Sequence, residues 1–140
     1  GNVSEQAKKL IRVTRDSFFA GAEQVKVGNR LGDVGHAIDA LVTENGFSTV
    51  RRYVGHGIGT DMHESPDVPN YGTPGRGIRL SAGMTVAIEP MVNTGTYDVR
   101  EMPDGWTVKT ADGGLSAHYE NTLALTSDGV LILTLVEEDF

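Results

Sequence analysis

The sequence predicts an α+β fold in which two helices precede a series of antiparallel strands. Over the first 45 residues, apolar side chains recur at intervals of three and four, as on amphipathic helices. After Gly46 the apolar period falls to two, as in half-buried strands, and turn signals such as Ser127-Asp128-Gly129 separate the later segments. Helices followed by strands, rather than alternating with them, indicate an α+β arrangement.

Two helices are expected near the start of the chain. The first is predicted over residues 4–25, with Asn2 and Ser4 both plausible as its N-cap. The second is predicted over residues 33–45, and Gly46 suits the position just after its last turn. His36 lies within this second helix, where a lone histidine is more often structural than chemical.

The rest of the chain is predicted to be strands, turns and one long loop. Residues 67–82 are rich in proline and glycine, which predicts an irregular loop of a length that is usually functional or mobile. A turn at residues 103–105 is expected to join two short strands. The acidic residues at 137–139 are interpreted as a solvated tail. The predicted strands cover residues 47–54, 84–91, 97–102, 106–110, 115–126 and 130–134.

Composition limits the classes of function. The 140 residues suit one domain, large enough to bury about two thirds of its unfolded surface. A net charge of −7 without a basic cluster argues against a nucleic-acid partner. No apolar run approaches the ~20 residues of a membrane-spanning helix, and the first residues do not resemble a signal peptide. Because there are no cysteines, we expect neither disulfides nor thiolate metal sites, which fits a reducing cytosol. Together these features predict a soluble chain in the cytoplasm.

The most unusual stretch covers residues 53–66 and contains two histidines, His56 and His63, seven residues apart. Alternating glycines run through it, which disfavours a helix and predicts a loop that bends tightly and lets other groups approach its backbone. We therefore expect both imidazoles to be presented to a bound group. The glycines are Gly55, Gly57 and Gly59.

Two glutamates are candidates to act with these histidines. Glu89 ends an apolar strand and is followed by Pro90, so strand pairing is expected to stop there. Such a carboxylate either needs a partner, if it is buried, or points to solvent at the strand end. Glu120 lies in mid-strand on a polar face that it shares with His118. Such a face indicates either a hydrated functional site or a strand that simply faces solvent. The pattern leaves these alternatives open.

Histidine and glutamate without cysteine form a ligand set suited to Zn, Mn, Fe or Co. A two-metal centre with a bridging carboxylate would activate a water and stabilise an oxyanion. A zincin motif is excluded, because Asp67 stands where the second histidine after His63-Glu64 would be needed, and Pro66 blocks the helix. Spacing by itself is therefore compatible with a metal hydrolase but does not single one out.

Four segments of the chain form an ordered set of motifs: Gly-His-Gly-Ile-Gly at 55–59 with His63-Glu64-x-Pro66, Gly-Met-Thr-Val-Ala-Ile-Glu-Pro at 83–90, Trp-Thr-Val-Lys-Thr at 106–110 and Ser-Ala-His-Tyr-Glu-Asn-Thr at 116–122. Taken together and in this order, they resemble type I methionine aminopeptidases. The likeness continues back through both helices and covers nearly the whole chain. It implies the pita-bread (creatinase/aminopeptidase) fold, of which this chain would be the C-terminal half: two helices followed by an antiparallel curved sheet.

The resemblance also implies roles for individual residues around two divalent metal ions, with Co, Mn, Fe or Zn as candidates. His56 would be a metal ligand, Glu89 a ligand that also works with the attacking water, and Glu120 the carboxylate that bridges both metals. His63 would not be a ligand, and would instead contact the scissile peptide or the tetrahedral intermediate.

The same resemblance implies that Trp106 and Met62 help to line the pocket for a methionine side chain. The residues alone also allow a simpler interpretation, in which Trp106 belongs to the core and Met62 fills a gap.

The chain departs from the family pattern in its ligand set. Family members carry five protein ligands, and two of these are aspartates upstream of the first helix, as is a further histidine of the site. Asp61 and Asp67 are not replacements, because they lie outside the matching positions. We therefore interpret residues 1–140 as one catalytic-domain portion whose complementary N-terminal half, with the two missing aspartates, is absent.

The expected function of the complete enzyme is the removal of the initiator methionine from nascent polypeptides. Two alternatives remain. The chain could be a non-catalytic pita-bread module that binds a peptide or protein, although such relatives have generally lost the metal ligands. It could also be inert when isolated, since three ligands out of five would leave the site incomplete.

Overall fold

The computed structural model describes residues 1–136, in which two helices precede ten short strands. The predicted acidic tail of Glu137, Glu138 and Asp139 lies outside these residues. No helix among residues 1–136 is long and apolar enough to cross a membrane. The elements are α1 (Glu5–Ala22), α2 (Leu31–Glu44), β1 (Ser48–Thr49), β2 (Gly55–Gly57), β3 (Glu64–Val68), β4 (Thr85–Ile88), β5 (Met91–Asn93), β6 (Val99–Glu101), β7 (Val108–Thr110), β8 (Ser116–His118), β9 (Asn121–Thr126) and β10 (Gly129–Ile132).

Of the two N-cap candidates of helix α1, the structure selects Ser4, and the helix ends earlier than predicted. The Ser4 hydroxyl accepts a hydrogen bond from the Ala7 backbone N–H at 3.2 Å. The helix stops at Ala22 rather than at Val25, because the Val25 N–H bonds to the Ala22 carbonyl three residues back, at 3.0 Å, in a tighter turn. Val25 is nevertheless buried, which explains why the apolar period continued past the helix end.

Helix α2 begins at Leu31, two residues before its predicted start. The Asp33 carboxylate accepts a hydrogen bond from the Arg30 backbone N–H and another from the Gly75 N–H, both at 2.7 Å. These two bonds hold the pKa of Asp33 below its usual range. Asp33 thereby caps the helix and ties the segment predicted as a loop, residues 67–82, to the first turn of α2.

The largest sheet has five strands in the order β10-β9-β4-β2-β3, with all neighbours antiparallel. The prediction of a loop at the alternating glycines is wrong in part, since residues 55–57 form β2 inside this sheet. A Cβ atom on Gly55 would overlap the Ala87 carbonyl oxygen, and one on Gly57 would overlap that of Ser65. These glycines therefore allow close approach of neighbouring strands rather than a tight bend.

Strand β3 covers the start of the predicted irregular loop. It pairs with β2, but the register shifts within the pair: His56 lies opposite Asp67, whereas Gly57 lies opposite Glu64. The two residues between those partners, Ser65 and Pro66, form a bulge joined by a cis peptide bond. The shift is the reason that a simple period-two pattern did not indicate a strand here.

Two of the predicted strands are each divided between two sheets. The range 84–91 becomes β4 in the five-stranded sheet and β5 in a sheet of order β1-β5-β8, with the break at Glu89-Pro90 as predicted. The range 115–126 becomes β8 and β9, which belong to these same two sheets, with the break at Tyr119-Glu120. Both candidate glutamates therefore lie where the chain passes from one sheet to the other.

The remaining predicted strands are present but shorter. Residues 97–102 and 106–110 contain β6 and β7, which pair with each other around the predicted turn. Residues 47–54 form a strand only at β1, and β10 starts one residue earlier than predicted.

Both helices pack on the inner face of the sheets. The main apolar cluster joins α1 and α2 to β3, β4 and β9, and its buried members are Phe18, Ala22, Val25, Leu31, Val34, Ile38, Val68, Leu80, Val86, Ile88, Leu123 and Leu125. A second cluster joins the helices to β5, and its buried members are Leu10, Val13, Val42, Phe47 and Val92.

Phe18 connects the helix layer to the junction that carries Glu120. It is fully buried, and its ring centroid lies 5.2 Å from that of Tyr119. We expect Phe18→Ala to lower the free energy of unfolding by about 3–5 kcal/mol, because it removes a large buried side chain. Urea unfolding followed by circular dichroism measures the change.

Ile11→Ala on the same helix is the matched control, since Ile11 is 59% exposed. We expect it to change the free energy of unfolding by no more than about 0.5 kcal/mol. Equal effects of the two substitutions would contradict this packing.

Candidate metal centre

Strand pairing brings His56, Glu89 and Glu120 to one end of the five-stranded sheet. His56 on β2 lies opposite Ala87, two residues before Glu89. Glu120 immediately precedes Asn121, which lies opposite the last residue of β4. Because β4 is hydrogen-bonded to β2 on one side and β9 on the other, residues distant in sequence meet where β4 ends.

One potential ligand atom from each of these three residues lies within 4.8 Å of the others. The three differ in burial: His56 is buried, Glu89 has a side chain that is 12% exposed, and Glu120 is exposed. The group is therefore open to solvent on the side of Glu120.

The hydrogen bonding of His56 defines which of its nitrogens faces Glu89. Its Nδ1 lies 2.8 Å from the Gly57 carbonyl oxygen, which can only accept a hydrogen bond, so Nδ1 carries the proton in the neutral ring. The lone pair of Nε2 then faces Glu89 Oε1 at 3.3 Å. Two electron-rich atoms thus lie close together.

This arrangement fits a cation held between His56 and Glu89. Metal–nitrogen and metal–oxygen bonds of about 2.0–2.2 Å put two ligands of a tetrahedral ion about 3.3–3.6 Å apart. The observed separation of 3.3 Å agrees with that spacing. A bound cation would also remove the repulsion between the facing lone pairs.

The backbone around the two glutamates is held by buried amide groups. The fully buried Asn70 donates its Nδ2–H to the Glu89 carbonyl oxygen at 3.4 Å. The Asn121 amide oxygen accepts a hydrogen bond at 2.7 Å from the hydroxyl of Thr134, and this hydroxyl also accepts from the Thr122 N–H. Asn121, a polar exception in the apolar pattern of its strand, thus ties the start of β9 to the segment after β10.

His63 lies beside this group rather than in it. Its ring centroid is 4.3 Å from that of His56, with an angle of 50° between the ring planes, and its side chain is exposed. His63 belongs to the connection between β2 and β3, and it is not one of the three residues whose potential ligand atoms lie together.

The two predicted pocket residues are on the surface. Trp106 is 87% exposed and Met62 is 70% exposed. The simpler interpretations, Trp106 in the core and Met62 as a gap-filler, do not agree with these exposures. Large apolar side chains this exposed need contact with another molecule or chain segment to be covered.

His118 is a neighbour of the site that residue-by-residue reasoning did not single out. Its Nε2 lies 3.3 Å from Glu89 Oε2, and its side chain is 42% exposed. The available signal was its position on the same polar strand face as Glu120. His36, by contrast, is exposed on α2.

Comparison with known proteins agrees with the geometry. Residues 1–127 match metallopeptidase family M24. A methionine aminopeptidase from Clostridium perfringens is 60% identical over 98% of this chain, and methionine aminopeptidase 1 from Bacillus subtilis is 50% identical over 97% of it. The crystal structure of methionine aminopeptidase from Thermotoga maritima superposes with a TM-score of 0.94, at 48% identity, over 97% of this chain.

The chain spans about half the length of the curated relatives it matches. It covers 55% of the two relatives and 55% of the Thermotoga maritima chain. The predicted fold, two helices followed by antiparallel sheets as in half of a pita-bread domain, is confirmed by this superposition. The chain therefore belongs to metallopeptidase family M24.

Proposed function

We propose that this chain supplies the larger part of the metal centre of a methionine aminopeptidase, which removes the initiator methionine from nascent polypeptides. The convergence of His56, Glu89 and Glu120 at the end of β4 is the observation that carries the proposal. Identity of 60% to a methionine aminopeptidase supports it further. A non-catalytic binding module would have no need of three intact candidate ligands.

Membership of a metallopeptidase family implies divalent metal ions. We propose that the complete site holds two of them, and that His56 and Glu89 act as terminal ligands while Glu120 bridges both. One imidazole and two carboxylates suit Co, Mn, Fe or Zn. The exposure of Glu120 leaves its side of the site free for the remaining ligands.

Bound divalent ions would polarise the scissile carbonyl as Lewis acids and lower the pKa of water. Both effects promote peptide hydrolysis at neutral pH. The protein side chains then handle protons and orientation. The Glu89 carboxylate accepts the proton of the attacking water, and His63 donates to the developing oxyanion of the scissile peptide. Because His63 lies beside His56, this donor is separate from the ligand set.

Substrate binding and the missing ligands both call for a further part of the enzyme. We propose that a complementary N-terminal portion supplies the two aspartates and closes the exposed side of the site. Trp106 and Met62 would then form part of a pocket for the methionine side chain. The isolated chain would be inactive. A nucleic acid is not proposed as a partner, because a net charge of −7 opposes binding to a phosphate backbone.

We place the activity in the cytoplasm, where initiator methionine is removed as chains are made. The absence of cysteine from the sequence is compatible with that compartment.

The first test measures release of methionine from Met-Gly-Met in the presence of Mn²⁺ or Co²⁺. We expect no activity from the 140-residue chain alone, because three ligands do not complete the site. Adding the complementary portion should produce metal-dependent release. Release by the chain alone would contradict the need for two further ligands, and no release by the metal-loaded assembly would favour the binding-module interpretation.

A second test separates the two histidines of the β2–β3 region. In the assembled enzyme, we expect His63→Ala to lower kcat by about 10²–10³-fold while metal content is unchanged, as for loss of an oxyanion donor. His56→Ala should instead lower the metal content itself. Metal analysis by atomic emission, alongside steady-state kinetics, distinguishes the outcomes, and loss of metal from the His63 variant would show that its assigned role is wrong.

A third test concerns the bridging role. Glu120→Gln should reduce occupancy of both metal positions, because a neutral amide bridges two cations poorly. Glu44→Gln, an exposed glutamate on α2, is the matched control and should leave the metal stoichiometry unchanged. Full occupancy in the Glu120 variant would exclude a bridging carboxylate.

A further inference from the structure

We infer that His118 is a positioning residue for Glu89: its Nε2–H donates to Glu89 Oε2 and holds the carboxylate so that Oε1 faces His56. The inference rests on the proposed function, since it assigns a purpose to the orientation of a proposed metal ligand. It adds a fourth side chain to the site, one that acts through Glu89 rather than on a metal or substrate.

The pairing of β8 with β5 brings His118 to this position. His118 lies opposite Met91, the second residue after Glu89. The next residue, Tyr119, donates its backbone N–H to the Pro90 carbonyl oxygen at 3.2 Å. The end of β8 is therefore held beside the two residues that follow Glu89, and the His118 ring reaches the carboxylate from β8.

The two oxygens of Glu89 have different surroundings. Oε1 lies 3.3 Å from His56 Nε2, which is an acceptor once His56 has donated Nδ1–H to Gly57. Oε2 lies 3.3 Å from His118 Nε2, which can carry a proton and donate it. Oε2 thus lies beside a nitrogen that can donate, while Oε1 lies beside a nitrogen that cannot. This asymmetry selects one oxygen of the carboxylate for a cation.

Backbone contacts alone do not produce this orientation. Asn70 holds the Glu89 carbonyl, but rotations about the glutamate side-chain bonds leave the carboxylate free to turn. The contact with His118 removes that freedom at the end of the side chain. Ligating carboxylates in metal sites are characteristically held by such hydrogen bonds, and loss of the partner typically lowers metal affinity about 10–100-fold.

The test compares two amide substitutions of His118 in the assembled enzyme. A glutamine places its N–H near the position of imidazole Nε2, whereas an asparagine reaches only as far as Nδ1. We expect His118→Gln to keep the Mn²⁺ affinity within about threefold and His118→Asn to lower it at least about tenfold, by isothermal titration calorimetry. His36→Asn, on the exposed face of α2, is the control and should change nothing.

A second readout does not need metal. In the metal-free protein, long-range ¹H–¹⁵N spectra should show His118 with the proton on Nε2, and Glu89→Gln should shift the Nε2–H resonance. A proton on Nδ1 in the neutral ring, or equal metal affinities of the Gln and Asn variants, would overturn the inference. If the wild-type assembly binds no Mn²⁺, the proposed function fails, and the spectra decide on the hydrogen bond by themselves.

Discussion

The register of β4 between its two antiparallel neighbours is the constraint on which the candidate site depends. His56 opposite Ala87 and Asn121 opposite Ile88 align β2, β4 and β9 so that their functional residues meet at one end. A slip of one residue would turn every side chain of a strand to the opposite face. The buried face of β4, with Val86 and Ile88 in the main cluster, opposes such a slip. The hydrophobic core therefore sets the geometry of polar groups that lie outside it.

Both glutamates lie where a strand leaves one sheet for another, and this location has a physical explanation. At Glu89-Pro90 and Tyr119-Glu120 regular pairing stops, so a charged side chain does not have to enter a packed sheet interior. The helix layer supports one junction directly, since Phe18 packs on Tyr119. Breaks between sheets thus give positions that are rigid, because both flanking strands are paired, and yet accessible to water and ions.

Several parts of this arrangement were predictable, and others were not. Pro90 indicated the end of β4, because proline removes a backbone donor. The α+β order of the elements was predicted as well, and Ser4 was one of the two N-cap candidates. The strand at Gly55–Gly57 was not predictable. Strand propensity disfavours glycine, and it takes no account of the neighbouring carbonyl groups that a Cβ atom would overlap. The division of residues 115–126 between two sheets was hidden too, since the alternating pattern continues across the break with little change.

The sequence by itself determined the types of chemical group available: two histidines in a glycine-rich stretch, one glutamate at a predicted strand end, one in a predicted mid-strand position, and no cysteine. Its ordered motifs also carried the family resemblance. Only the tertiary structure decided which groups meet, because meeting depends on pairings between strands far apart in the chain. It put His56 and Glu89 3.3 Å apart, left His63 to one side, and brought His118 to the second oxygen of Glu89. Contacts between side chains at these distances depend on orientation, and orientation is a property of the packed sheets rather than of residue spacing.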